Sequence, residues 1–329
     1  MTPLLREIRS NPLLWLLALV PAVLAAQVIK PEAHTLLFLL SVAAIVPLAA
    51  LLSRATEAVA AKTGDMIGGL LNATLGNLTE LLIALAALHA GQYVLVKASI
   101  AGAIVTNALF MLGASFLLGG LNHHVQEYNR NIARLQAGLL FLATIAMLIP
   151  SVLTEADANS TAAKLTQNLS AGLAVVLIVT YGLGLAFSLN THREFFSGAD
   201  HTDPNEAEWP LGIGTLAGVT VLVAFVSEVL IESVQQAATT LGLSPAFVGF
   251  IIVALVGGAA EMVSAFSAAR KDRLDLSVGI ALGSAVQIAL FVAPLLVLLS
   301  YVKMGIARGR AYSLSVACYG NSCSAAVSV

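Results

Sequence analysis

The chain has 329 residues, 58% of them hydrophobic and 10% charged, with 16 Lys and Arg against 18 Asp and Glu. Soluble domains are about half apolar and about a quarter charged, so this composition excludes an ordinary soluble protein. The absence of a basic excess excludes a nucleic-acid binder. The two cysteines, Cys318 and Cys323, stand too near the end to frame a disulfide scaffold.

An apolar run of about 20 residues crosses a bilayer as a helix. Nine runs qualify: 11–29, 34–52, 66–90, 93–119, 131–153, 166–189, 209–232, 244–269 and 274–301. They are continuously apolar rather than alternating, which predicts an all-α polytopic membrane protein and not a closed barrel. The first run follows Arg6 and Arg9 but ends at Gln27-Val28-Ile29-Lys30-Pro31, with no small-residue cleavage pattern. It reads as a retained helix.

Lys and Arg in the loops set the orientation. With the N-terminus in the cytoplasm, the inner segments carry Arg6, Arg9, Arg54, Lys62, Arg130, Arg134, Arg193, Arg270, Lys271 and Arg273. The outer ones carry Lys30, Lys97 and Lys164. The connections are short except 190–208, an acidic stretch that divides the chain into halves. The expected organisation is an extra helix over 1–33, a first half over 34–189, the cytoplasmic linker 190–208, a second half over 209–301 and an atypical tail over 302–329.

Sliding the chain by 181 residues aligns 66–119 with 247–300 without a gap, and 14 of those 54 positions are identical. Aligned Leu and Ala are cheap in such a composition. The signal lies in Gly68/Gly249, Gly76/Gly257, Glu80/Glu261 and Gly102/Gly283. The copies are the third and fourth runs and the eighth and ninth. A shift of five spans is odd, so they enter the membrane in opposite directions, as the inverted repeats of many secondary transporters do.

Glu80 and Glu261 lie well inside predicted spans, where a charged residue costs roughly 2.5–3.5 kcal/mol. Equivalent acids in inverted copies meet across the pseudo-two-fold axis. Such a pair can hold a divalent cation, or take up protons when the cation leaves, because two like charges disfavour one another in low dielectric. The blander reading is two protonated carboxyls bridging helices; the symmetry of the pair speaks against it. Gly76 and the Gly257-Gly258 pair precede the acids and can let a helix unwind, freeing carbonyl oxygens. Asn77, Asn107, Ser284 and Gln287 supply neutral oxygens at membrane depth, which suit a hard cation wanting six to eight of them. Thr106 and Ser284 read first as packing residues, and Asn72 equally as ligand or as helix glue. Glu228 and Glu232 stand one turn apart on the seventh run, with Glu228 the deeper and a candidate for a proton path. Glu57 reads as part of an amphipathic connector with Arg54 and Lys62, and His89, His123 and His124 as solvated span ends. No nucleophile elbow, HExxH or phosphate-cradling loop appears, so an enzyme is disfavoured.

Gly68-Gly69-Leu70-Leu71-Asn72-Ala73-Thr74, then Gly76-Asn77-Leu78-Thr79-Glu80-Leu81, Lys97-Ala98-Ser99 and Gly102, resemble the first α-repeat of calcium/proton antiporters. These form the cation/proton exchanger branch of the calcium/cation antiporter superfamily. Leu274-Asp275-Leu276 and Gly279-Ile280-Ala281-Leu282-Gly283-Ser284-Ala285-Val286-Gln287 through Phe291 resemble the second. The resemblance spans residues 11–301. It implies eleven spans: one extra helix and two inverted five-helix halves. It also implies that Glu80 and Glu261 bind Ca2+ and H+ alternately, coupling Ca2+ export to proton movement. Asn77, Asn107, Ser284 and Gln287 fall on the polar positions of the two repeats. The chain departs from the pattern at Gly258, where the family usually has Asn, at Met262, where it often has His, and at Ala103, where Ser is common. The tail from Lys303 supplies no last two spans and reads as a truncation or a shifted frame.

The expected activity is exchange of Ca2+ for H+ across a bacterial-type inner membrane, or an acidic organelle membrane, with the bilayer and a divalent cation as partners. A homo-oligomer is compatible with the sequence. The alternatives are a Na+- or K+-coupled or Mn2+-specific exchanger on the same fold, or an uncoupled channel or scaffold. Gln287 stands where sodium-coupled relatives tend to carry an acid, which favours the proton-coupled branch.

Overall fold

The computed structural model describes residues 12–63, 65–156, 160–187 and 209–306, and these form helices joined by short turns. In chain order they are α1 (Leu16–Ile29), α2 (His34–Lys62), α3 (Asp65–Leu75), α4 (Leu78–His89), α5 (Tyr93–Asn122) and α6 (Arg130–Ala156). Then come α7 (Ser160–Ala186), α8 (Trp209–Leu241), α9 (Pro245–Gly257), α10 (Ala259–Arg270) and α11 (Leu274–Tyr301). Among the described residues, six helices are long and apolar enough to cross a membrane, and the bent pair α9–α10 makes a seventh. The chain is a multi-pass membrane protein. The linker 190–208 and the tail 302–329 lie outside the described residues, apart from a few helical residues at the end of α11.

Each predicted run has its helix, with two kinds of difference. The second run continues to Lys62, so Glu57 belongs to α2 itself and not to a separate connector. The third and eighth runs are each broken into two helices, at Gly76-Asn77 and at Gly258.

Lipid tails are as apolar as leucine, so these helices associate through close packing rather than through escape from water. The widest seam joins α2 to α8, where Leu37, Leu48 and Leu52 meet Val223, Val226 and Leu230 in one buried cluster. The tightest approach is α5 on α9. A Cβ on Gly102 would lie 2.1 Å from the Phe250 carbonyl oxygen, so only glycine lets the two backbones meet.

The helix ends repeat with the same offset as the sequence. Gly91, with φ of 74°, terminates α4, and the amides of Gly91 and Gln92 donate to the Leu88 and Ala87 carbonyls. Asp272, at φ 59°, terminates α10 in the same way, with the amides of Asp272 and Arg273 donating to Ala269 and Ala268. This is a left-handed cap that normally wants glycine. Residues Thr106–Met111 of α5 and Ile288–Val292 of α11 are π-helical, and they too stand at equivalent positions.

Candidate functional site

The two breaks place the two acids. Asn77 and Gly258 are the N-cap residues of α4 and α10, and Glu80 and Glu261 lie in the first turns that follow. A carboxylate there faces the positive end of the helix dipole, worth about 0.3–1 kcal/mol at a surface and up to about 2 kcal/mol when partly buried. That offsets part of the cost of a charge at membrane depth. The α9–α10 break bends the chain by 57°.

Glycines bring the halves together at these points. A Cβ on Gly257 would lie 3.1 Å from Cγ of Glu80, so the Glu80 side chain rests on the backbone of the opposite repeat. A Cβ on Gly258 would lie 3.2 Å from Oδ1 of Asn107, and one on Gly76 would lie 3.4 Å from Oε1 of Gln287. Gly258, where the resemblance leads one to expect Asn, therefore leaves room for Asn107.

The four neutral residues singled out in the sequence form one hydrogen-bonded chain. Asn107 Nδ2 donates to Ser284 Oγ at 2.8 Å, and Ser284 Oγ donates to Asn77 Oδ1 at 2.8 Å. Asn77 Nδ2 then donates to Gln287 Oε1 at 2.5 Å. Each of these bonds crosses between repeats. Asn77, Asn107 and Ser284 are buried, at 2%, 1% and 4% exposure, so the bonds are sheltered from competing solvent. Ser284 also lies within reach of Glu261. Three oxygens at this centre are buried without a hydrogen-bond partner: Glu80 Oε1, Glu261 Oε2 and Asn107 Oδ1.

The surroundings of the two acids differ. Glu80 borders a small cavity whose walls include Ser99, Ala103, Ala254 and Ile288. With the offset of 181, Ala103 and Ile288 are the counterparts of Ser284 and Asn107, so that hydrogen-bonded pair has no polar equivalent beside Glu80. Ser99 is the wall residue that the sequence did not single out as a ligand, and its hydroxyl is taken up by the Val96 carbonyl.

The other candidates lie elsewhere. Glu228 shares the exposed stripe of α8 with Val221 and Phe225, away from this centre. Glu232 accepts from Gln27 Nε2 at 3.0 Å, tying α8 to α1. Asn72 is exposed, and Thr106 is buried. His123 is not simply solvated: its Nε2 sits 3.0 Å from the Arg270 carbonyl. Among the described residues, no cluster of three or more His, Cys, Asp or Glu could hold a metal. Any cation held here would rest on two carboxylates and neutral oxygens.

The family model described as sodium/calcium exchanger protein matches residues 33–190 and 211–327. A Ca(2+)/H(+) antiporter of Aphanothece halophytica is 40% identical over 282 residues, covering 81% of this chain and 75% of the relative. The Ca(2+)/H(+) antiporter ChaA of Bacillus subtilis is 42% identical over 270 residues, covering 80% of this chain and 76% of the relative. The structure of native YfkE aligns at a TM-score of 0.76 and 34% identity, covering 92% of this chain and 85% of that one. The H+/Ca2+ exchanger CAX aligns at a TM-score of 0.70 and 16% identity, over 92% of this chain and 76% of that one, a likeness of fold alone. The family match over most of the chain and the relatives at 40% and 42% identity show that the chain belongs to the sodium/calcium exchanger protein family.

Proposed function

We propose that the chain exchanges cytoplasmic Ca2+ for H+ by alternating access, with Glu80 and Glu261 as the shared sites of both ions. The observation that carries this reading is the meeting of two carboxyl groups, each in the first turn of a broken helix, each with one buried oxygen without a partner, beside the unpaired Oδ1 of Asn107. A hard divalent cation takes several oxygens, preferably with negative charge among them. When it leaves, two carboxylates in low dielectric repel, and protons relieve the repulsion. Competition for the same oxygens couples the two fluxes.

Asn77, Asn107, Ser284 and Gln287 act as the neutral ligands in this reading. Their mutual hydrogen bonds suit the cation-free form, since Asn77 Oδ1 and Gln287 Oε1 are then occupied. Cation binding rotates these amides toward the carboxylates. Two inverted halves over 34–189 and 209–301, a cytoplasmic N-terminus and a cytoplasmic linker 190–208 belong to the same reading. So do a proton-coupling role for Glu228 and a homo-oligomeric assembly. The names of the relatives support Ca2+ and H+ as the transported pair.

The test is Ca2+ uptake into proteoliposomes under an imposed pH gradient, with Mn2+ and Na+ run in parallel. Wild type should take up Ca2+ only with the gradient, and Glu80→Gln and Glu261→Gln should each abolish uptake. Uptake that persists without a gradient, or survives in both variants, defeats the proposal.

A further inference from the structure

Gln136 is the one amide on the face of α6 that packs against α11. Its companions on that face, Ala133, Leu139, Leu140 and Ala143, are apolar and join clusters with Leu282, Val286 and Leu290 of α11. The Oε1 atom of Gln136 is buried and has no hydrogen-bond partner. The Nε2 atom lies against bare backbone: a Cβ on Gly283 would sit 3.4 Å away from it. An unpaired amide oxygen at membrane depth is costly, and apolar neighbours on both sides offer it no structural use.

Its position relative to the glutamate site is specific. Gly283 precedes Ser284 and lies one turn before Gln287 on the same face of α11. Gln287 accepts from Asn77, and Ser284 joins Asn77 to Asn107. Gln136 therefore lies against α11 about one helical turn from Gln287, on the side of the α10–α11 turn. The start of α6 is anchored at that same turn, where the Asn129 amide donates to Asp275 Oδ1 at 2.9 Å.

We propose that Gln136 is a further cation ligand, which holds the divalent ion about one helical turn before Gln287, on the path from the α10–α11 turn to the two glutamates. The inference rests on the exchange reading above. A neutral carbonyl oxygen replaces part of the hydration of a hard cation without trapping it, which is what a passing site requires. Gly283 keeps the backbone beside it clear.

The experiment compares wild type with Gln136→Leu and Gln136→Glu in sealed membrane vesicles of both orientations. It measures the KM for Ca2+ from each side, the maximal rate and the melting temperature. Gln136→Leu should raise KM about tenfold from the α10–α11 side, the loss expected for one ligand, and leave KM from the other side unchanged. Gln136→Glu should lower KM from that same side and slow turnover, because a carboxylate holds the ion longer. KM unchanged in both variants, or changed equally on both sides, overturns the proposal. If Gln136→Leu melts early, Gln136→Glu decides alone, and an unchanged KM overturns the proposal. Wild-type protein that takes up no Ca2+ under a pH gradient defeats the exchange reading itself, and the proposal falls with it.

Discussion

Ser284 accepts from one amide and donates to another, and so carries the contact between Asn107 of the first repeat and Asn77 across the centre. Its hydroxyl is small enough to sit between them, and no water is needed to complete the bonds. Ser284→Ala leaves Asn77 Oδ1 and Asn107 Nδ2 unpaired in a buried place, where each such loss costs about 1–3 kcal/mol. A lower melting temperature in detergent, with the helix content kept, is the expected result. A melting temperature equal to wild type would mean that the bonds contribute nothing. The glycines at 76, 257 and 258 act at the same scale by a different route. Each removes a side chain where a polar side chain of the other repeat comes close. Their presence was legible in the sequence, but which partner each one faces was not.

At the scale of the element, the loop between α5 and α6 caps the end of α10 from outside. Gln126 Nε2 donates to the Ala269 carbonyl at 2.9 Å and to Asp272 Oδ1 at 3.1 Å, and His123 meets the Arg270 carbonyl. These carbonyls belong to the last turn of α10, where no further turn of helix follows to satisfy them; the Ala269 carbonyl also takes the Asp272 amide. Gly119 makes room for the arrangement, since a Cβ there would overlap Gln126 Oε1 at 2.0 Å. Asp272 carries opposing demands. Its left-handed backbone favours glycine by about 1 kcal/mol, while its carboxylate holds Gln126. Asp272→Ala loses the hydrogen bond and keeps the strain, whereas Asp272→Gly loses the bond and relieves the strain. Thermal unfolding should therefore place Asp272→Ala below Asp272→Gly by about 1 kcal/mol; the reverse order would mean that the backbone there is not strained.

Across the whole molecule, the loop 123–129 and the α10–α11 turn lie at one end of the bundle, tied by the bonds just described. The turn between α4 and α5 is held elsewhere, by Gln92 Nε2 donating to the Ile231 carbonyl of α8 at 2.8 Å. In the orientation proposed above, the first end faces the cytoplasm, where Lys and Arg are in excess. In a chain with Cys318 and Cys323 changed to Ser, a cysteine at the exposed Glu127 should react with an impermeant maleimide from the cytoplasmic side, and one at Ala90 from the opposite side. Labelling of both from one side would contradict the orientation and the inverted repeat together.

Long apolar runs, the repeat at an offset of 181 and the buried acids were readable because each is a property of chain order and composition. Bilayer thickness fixes span length, and the cost of a charge in hydrocarbon makes each intramembrane glutamate conspicuous. Facing was a different matter. A transmembrane helix is apolar on its lipid side as well as on its packed side, so hydropathy alone did not show that Glu228 lies on the exposed stripe of α8. Nor could it show that Gln136 points inward from α6. The sequence by itself determined the helical runs and the residue types at the centre. Only the tertiary structure decided which polar groups meet, because those bonds join residues as far apart as Asn77 and Gln287, and depend on how closely glycine lets the backbones approach.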